Sequence, residues 1–218
     1  LDWRVRWNTA IQAQLLQPYI QWKHRTERGL TVTAGIHSQW FTLSNSISWA
    51  EPRIAMKKTL RDGSSITGGI GMHSQVQPYY MYFYSLSENA DGTRALHNKT
   101  MDFSYAGHAV MGYERMLKPM LRFKSEVYYQ YLWNIPVEQN PTSFSLANTG
   151  SGFERFFPDT LVNEGTQQNY GVEFTLEKYF SKTYYFMLTL ALFDSKYTAS
   201  DGITRNTDFN GRYATSAL

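Results

Sequence analysis

Residues Met120–Trp133 read MLRFKSEVYYQYLW, and this run limits the possible folds more than any other stretch of the chain. Leu121, Phe123, Ser125, Val127, Tyr129, Tyr131 and Trp133 hold the odd positions, while Arg122, Lys124, Glu126 and Gln130 hold even ones. Successive side chains of a β-strand point to opposite sides, so the run predicts a strand with one apolar and one polar face. It outruns the usual globular strand of about five or six residues. It suits a tilted membrane strand of about 9–11 residues with its ends.

The same period recurs. In Gln168–Phe180, Tyr170, Val172, Phe174 and Leu176 share one face, and Asn169, Gly171, Glu173, Thr175 and Glu177 the other. Leu30–Gln39 sets Leu30, Val32, Ala34 and Ile36 against Thr31, Thr33, Gly35, His37 and Gln39. Further strands are predicted near Leu15–His24, Arg53–Leu60, Ser65–Val76, His108–Leu117 and Tyr184–Tyr197, and from Phe209 onward, giving about nine in all. Helical periodicity is absent.

Short and long connections alternate between these strands. Tight turns are expected at Thr26–Gly29, Arg61–Ser64, Lys118–Pro119 and Phe180–Lys182. Long polar connections are expected at Phe41–Glu51, Pro78–Ala106, Ile135–Gln167 and Thr198–Asp208. A soluble sandwich has no reason to gather its long loops at one end. An outer-membrane barrel does, with short periplasmic turns and long extracellular loops.

Composition narrows the function. A formal net charge of +3 without a Lys/Arg cluster argues against nucleic acid as a partner. With no cysteine, disulfides, Cys-type zinc sites and thiol catalysis are excluded. A mean hydropathy of −0.45 and the lack of any run of about 18 apolar residues exclude helical spans, a test that barrel strands escape. The chain begins at Leu1 with no leader visible, and reads as processed or as part of a longer one.

Alternation alone serves a soluble sandwich and a membrane barrel equally. Strand length, loop asymmetry and aromatic placement favour the barrel. Trp22, Trp40, Trp49, Trp133, Tyr79, Tyr80, Tyr82, Tyr131, Tyr179, Tyr184 and Tyr185 fall where an interfacial girdle would lie. The competing reading is aromatic cross-strand pairing in a soluble sheet. The expected fold is therefore all-β: an antiparallel up-and-down transmembrane barrel wall. Nine strands with open edges would have to pair with another copy or belong to a larger barrel, since hydrocarbon does not tolerate unpaired backbone.

Four stretches carry a family resemblance: Glu51-Pro52-Arg53 with its strand, GMHSQ (Gly71–Gln75), LVNEGTQQNYGVEFTLEK (Leu161–Lys178) and LFDSKYTASDGITRNTDFNGRY (Leu192–Tyr213). Together they resemble the barrel of TonB-dependent receptors of the Bacteroidetes type, from about Gln14 to the end of the chain. The resemblance implies a bacterial outer-membrane barrel of about 22 strands with an internal plug. It implies a parent with a carboxypeptidase-regulatory-like domain, and uptake of a small scarce nutrient with energy passed on by TonB. Residues 1–218 would then be part of the barrel domain, with neither plug nor TonB-contacting segment among them. The implied partners are outer-membrane lipid, the TonB complex through the plug, the nutrient, and a surface lipoprotein as a further candidate. A passive porin and a soluble carbohydrate-binding sandwich are the rival readings.

No P-loop, HExxH, GxSxG elbow or zinc-type spacing occurs, so no enzyme activity and no cofactor is expected. Glu126, Glu173 and Glu177 fall on the predicted lumen face with Arg122 and Lys124. They either touch the plug or a polar solute, or form ordinary cross-strand ion pairs, the reading favoured. A local repeat adds a second group: Gly35-Ile36-His37-Ser38-Gln39 recurs as Gly71-Met72-His73-Ser74-Gln75. Parity turns His37, Gln39, His73 and Gln75 toward the lumen near the outer strand ends, as a polar rim or as a reused strand end. Their strands are expected two apart, roughly 10 Å, which is too wide for the two histidines to share a metal.

Overall fold

The computed structural model describes residues 10–84, 95–149, 158, 160–181 and 183–217. Its strands are β1 (Leu15–Leu16), β2 (Tyr19–Arg25), β3 (Leu30–Phe41), β4 (Ser46–Thr59), β5 (Ser65–Gln75), β6 (Ser104–Lys118), β7 (Leu121–Glu138), β8 (Leu161–Ser181), β9 (Tyr184–Thr198), β10 (Thr204–Asn206) and β11 (Tyr213–Ala217). One short helix, α1 (Tyr79–Phe83), lies between β5 and β6. All eleven strands belong to one antiparallel sheet in which β3 to β9 follow chain order. β1 and β2 both pair with β3, and β10 and β11 both pair with β9. The segments thus occupy the nine positions expected from the sequence, with Gln17-Pro18 and residues 207–212 interrupting the outermost ones. The sheet is not closed among the described residues.

The tight turns fall where expected, at the ends of β2, β4, β6 and β8. Gly29 (φ 74°) and Gly63 (φ 80°) supply the left-handed backbone that two of them need. An added Cβ at Gly63 would meet nothing within 4 Å, so only its dihedral resists substitution. Gly63→Ala is expected to cost about 1–2 kcal/mol, read as a shift in the urea midpoint with an unchanged slope.

At the opposite end the structure corrects one connection and shortens another. The loop expected over Phe41–Glu51 is a four-residue turn, Thr42–Asn45, and β4 begins at Ser46. Its pairing runs from Phe41↔Ser46 across a bulge between His37 and Gln39. Pro52 sits inside the strand opposite Ile36. Likewise β7 continues to Glu138 and β8 starts at Leu161, because a bulge at Asn134 (φ 60°) breaks the alternation without ending the ladder. The expected loop tips at 85–94 and 150–157, and Lys182 of the last tight turn, lie outside the described residues.

Register fixes the two faces. Ile54, Ile70, Ala109, Tyr129 and Tyr170 form one row across β4 to β8, and Met56, Gly68, Met111, Val127, Val172 and Leu192 the next across β4 to β9. These side chains stay uncovered: Val127 is 51% exposed, Met111 58% and Ile70 60%. Charged residues on this face include Lys58, Arg115 and Lys178 toward the tight turns, and Asp194 and Lys196, which pair at 2.8 Å beside Tyr170. No second sheet covers it among the described residues. A contiguous apolar surface of this extent is foreign to a soluble monomer.

The main buried cluster lies instead at the end opposite the tight turns. Met81, Tyr82 and Phe83 of α1 pack with Phe41, Met101, Phe103 and Leu161. Tyr82 is thereby buried, and that burial pushes its phenol up to about 12. This corrects its assignment to an aromatic girdle: Tyr79, Tyr80 and Tyr82 belong to the helix of the connection. Trp22 also leaves the strand ends, standing opposite Ala34 in mid-sheet. Trp40 and Trp49 at one end, and Tyr184 and Tyr185 at the other, are exposed as a girdle requires.

Candidate functional site

The polar face carries two groups of side chains at different heights. Near the tight turns, β6, β7 and β8 bring together Glu114, Arg122, Lys124, Glu126, Glu173 and Glu177 through the register Glu114↔Lys124, Gly112↔Glu126↔Glu173 and Arg122↔Glu177. Arg122 contacts Glu177 at 2.5 Å and Glu114 at 3.8 Å, and Lys124 contacts Glu126 at 2.5 Å. All the ionic residues read from the sequence therefore share one face, and four of the five pair locally. Glu173, directly opposite Glu126, forms no ion pair among the described residues. All of these side chains are partly exposed, so each pair contributes little, about 0–1 kcal/mol.

Midway up, a belt of hydrogen bonds crosses the sheet. Asn169 donates to Gln130 Oε1 at 3.0 Å, and Ser195 and Gln167 donate to Asn169 Oδ1 at 2.7 and 2.9 Å. Its register continues through His108, Gly71 and Arg53 to Gly35.

The second group centres on a residue that sequence reading left unassigned. The Glu51 side chain is completely buried. It accepts hydrogen bonds from His37 Nδ1 at 2.8 Å, Gln39 Nε2 at 3.0 Å, the Ser74 hydroxyl, and the Arg53 guanidinium at 3.4 Å. Gln39 also donates to the Ser74 carbonyl at 2.8 Å. The repeated Gly-x-His-Ser-Gln segments of β3 and β5 are therefore joined through the strand between them. The repeats do not play equal parts: β3 contributes His37 and Gln39, and β5 contributes Ser74. Gln75 is exposed and makes no side-chain hydrogen bond to any described residue, so the structure does not bring it into the group.

His73 turns to a different partner. Its Nε2 lies 3.1 Å from Nε2 of His108 on β6. The signal for His108 was its parity on a strand already expected. Glu51 was hidden because its segment read as a loop and no face was assigned to it.

Glycines shape the floor between these groups. An added Cβ at Gly71 would stand 3.3 Å from both the Arg53 stem and His108 Nε2, and one at Gly35 would lie 3.1 Å from the Ile20 carbonyl. The missing side chains leave an open depression of about 500 Å³, lined on the polar side by Gln21, Thr33, His37, Arg53 and His108. Its walls are largely apolar, with Ile20, Ile36, Ile70 and Val110 among them, and Arg53, His37 and His108 are the groups that could meet an anionic or electron-rich solute. A larger apolar depression on the opposite face, around Gly68, Met56 and Met111, is part of the uncovered surface and holds no such groups. Among the described residues, no group of three His, Cys, Asp or Glu converges on a point.

No protein-family model matches the chain, and no curated protein sequence matches it. Solved structures do. The FrpB iron transporter of Neisseria meningitidis superposes with a TM-score of 0.62 in its F3-3 variant (12% identity) and 0.63 in the apoprotein form of its F5-1 variant (14% identity). Each match covers 94% of this chain and 30% of the transporter. The outer-membrane transporter YddB of Escherichia coli matches with a TM-score of 0.62 at 10% identity, over 93% of this chain and 30% of that one. At such identities the likeness shows the fold: an antiparallel sheet built like the wall of an outer-membrane transporter barrel. The chain spans about a third of the length of these neighbours.

Proposed function

We propose that this chain forms part of the barrel wall of a TonB-dependent receptor of the bacterial outer membrane, serving uptake of a scarce nutrient. The observation that carries the reading is the uncovered apolar face of a single up-and-down sheet, backed by a polar face of matching extent. In a bilayer the first meets lipid and the second a wet or plug-filled lumen. The structural neighbours support transport across the outer membrane. The NEGT, NYGVE and FDSKY phrases support the TonB-dependent type and the Bacteroidetes grouping. Within this reading the ion pairs of β6 to β8 line the periplasmic half of the lumen. The Glu51 group and the depression beside it stand nearer the outside, where a polar solute would first meet the wall.

Topology can be tested with single introduced thiols in a cysteine-free background, to which this chain contributes no cysteine of its own. Asn148, in a 3-10 turn of the β7–β8 connection, should be extracellular, and Asp62, in the β4–β5 turn, periplasmic. Asn148→Cys in the full-length protein is expected to react with an impermeant maleimide on intact cells, and Asp62→Cys only after the outer membrane is opened. The opposite pattern would overturn the orientation. Energy coupling is tested separately. Collapsing the inner-membrane proton gradient should stop uptake through a TonB-dependent receptor and leave a passive pore conducting.

A further inference from the structure

The histidine pair on β5 and β6 has a geometry that the rest of the polar face lacks. His73 and His108 place their Nε2 atoms 3.1 Å apart, with ring centroids at 4.5 Å and ring planes 19° apart. Two imidazole nitrogens bound to one zinc-like ion lie about 2.0–2.1 Å from it, and at 3.1 Å separation they subtend roughly 100° at the metal. That is close to a tetrahedral angle, and also serves cis positions of a square-planar or octahedral ion. The pairing arises from register, because β5 and β6 are direct neighbours and His73 stands opposite Ala106, one step along the same face from His108. Gly71, opposite His108, keeps the space beside the His108 Nε2 free.

We infer that His73 and His108 form a two-nitrogen site for a late first-row divalent metal ion, of the Ni²⁺, Cu²⁺ or Zn²⁺ class. Imidazole donors suit these ions, whereas harder cations such as Mg²⁺ and Ca²⁺ demand oxygen. No third His, Cys, Asp or Glu converges on the pair among the described residues, so at least two coordination positions remain open. His108 itself lines the depression that holds Arg53 and His37, and the guanidinium there favours a metal arriving with anionic ligands of its own. Without metal, one imidazole N–H donates to the other ring. On binding, that proton moves to Nδ1 of its own ring, and both Nε2 lone pairs turn to the ion.

The inference rests on the barrel reading only for its place in the lumen. Binding is read without transport, so the two can fail separately. The test is titration of the untagged full-length protein, in detergent, with Cu²⁺, followed by electron paramagnetic resonance. Binding of one ion per chain with hyperfine coupling to two nitrogens is expected. His73→Gln and His108→Gln keep the bulk and a hydrogen-bonding group. Each should weaken binding at least tenfold and remove the two-nitrogen pattern, while His24→Gln on the apolar face leaves both unchanged. Folding of each variant is checked by its heat-dependent migration. Wild-type protein that binds Cu²⁺ no better than the His73→Gln/His108→Gln double variant would overturn the site. So would a two-nitrogen spectrum surviving either single replacement, since the pair would then be no more than an ordinary hydrogen bond.

Discussion

Glu51→Ala destabilises the outer end of the sheet by about 3–5 kcal/mol, the usual cost of removing one partner from a buried ionic hydrogen-bond group. The carboxylate is fully buried, and it is the common acceptor for His37, Gln39, Ser74 and Arg53. Its loss leaves at least two donors facing each other without a counter-charge. Glu51→Gln retains one acceptor oxygen but turns an amide N–H₂ toward existing donors, so it falls between wild type and Ala. Arg53 is partly exposed and can turn to water, which makes Arg53→Ala the mildest change in the group. The measurement is urea-induced unfolding of the full-length protein in detergent. Local proteolysis at the β3–β4 turn should rise in Glu51→Ala before global unfolding. Equal midpoints for Glu51→Ala and wild type would show that the buried group contributes nothing to stability.

Val127→Arg is the second large effect. Val127 lies in the row with Met56, Gly68, Met111, Val172 and Leu192, and half of its surface is uncovered. If that face meets hydrocarbon at mid-depth, an arginine there costs about 2–4 kcal/mol. Phe174→Arg, two residues along β8 on the same face, should fall in the same range. Glu126→Ala, on the adjacent residue but the opposite face, removes only a partly exposed pair with Lys124 and should cost about 0–1 kcal/mol. In water the contrast shrinks, because an exposed Val→Arg change is nearly neutral. The difference between Val127→Arg and Glu126→Ala therefore reports on the solvent of each face.

The faces were legible in the sequence because the pleat leaves no freedom: once Leu121 and Arg122 are placed, every residue to Leu132 is placed with them. The four tight turns were legible for a similar reason, since Glu-Arg-Gly, Asp-Gly and Lys-Pro tolerate few backbone paths. What misled was interruption. Ser44-Asn45-Ser46 and Pro52 carry the composition of a loop, and the bulge between His37 and Gln39 shifts the phase of β3 against β4. The pattern around Phe41–Glu51 therefore looked irregular, although the ladder runs through it. Asn134 and Pro136 did the same at the outer ends of β7 and β8. The candidate site suffered directly. His37 and Gln39 were found by parity, but their acceptor sat in the misread segment. The repeat drew attention to His73 and His37 as equivalents, while register gave them different partners. Side-chain convergence across strands depends on register, and a bulge changes register without changing composition.

The central claim is that the odd residues of β7 face lipid and the even ones an aqueous lumen. Nitroxide labels placed one at a time from Leu121 to Trp133, in the full-length protein reconstituted into bilayers, test it most directly. Collisions with dissolved oxygen report hydrocarbon, and collisions with a neutral nickel chelate report water. The account predicts opposed oscillations of period two: oxygen access peaks at Phe123, Val127, Tyr129 and Tyr131, and nickel access at Arg122, Lys124, Glu126 and Gln130. Nickel access that is high on both faces, with no oxygen maximum at Val127, would mean that the sheet stands in water and would contradict the account.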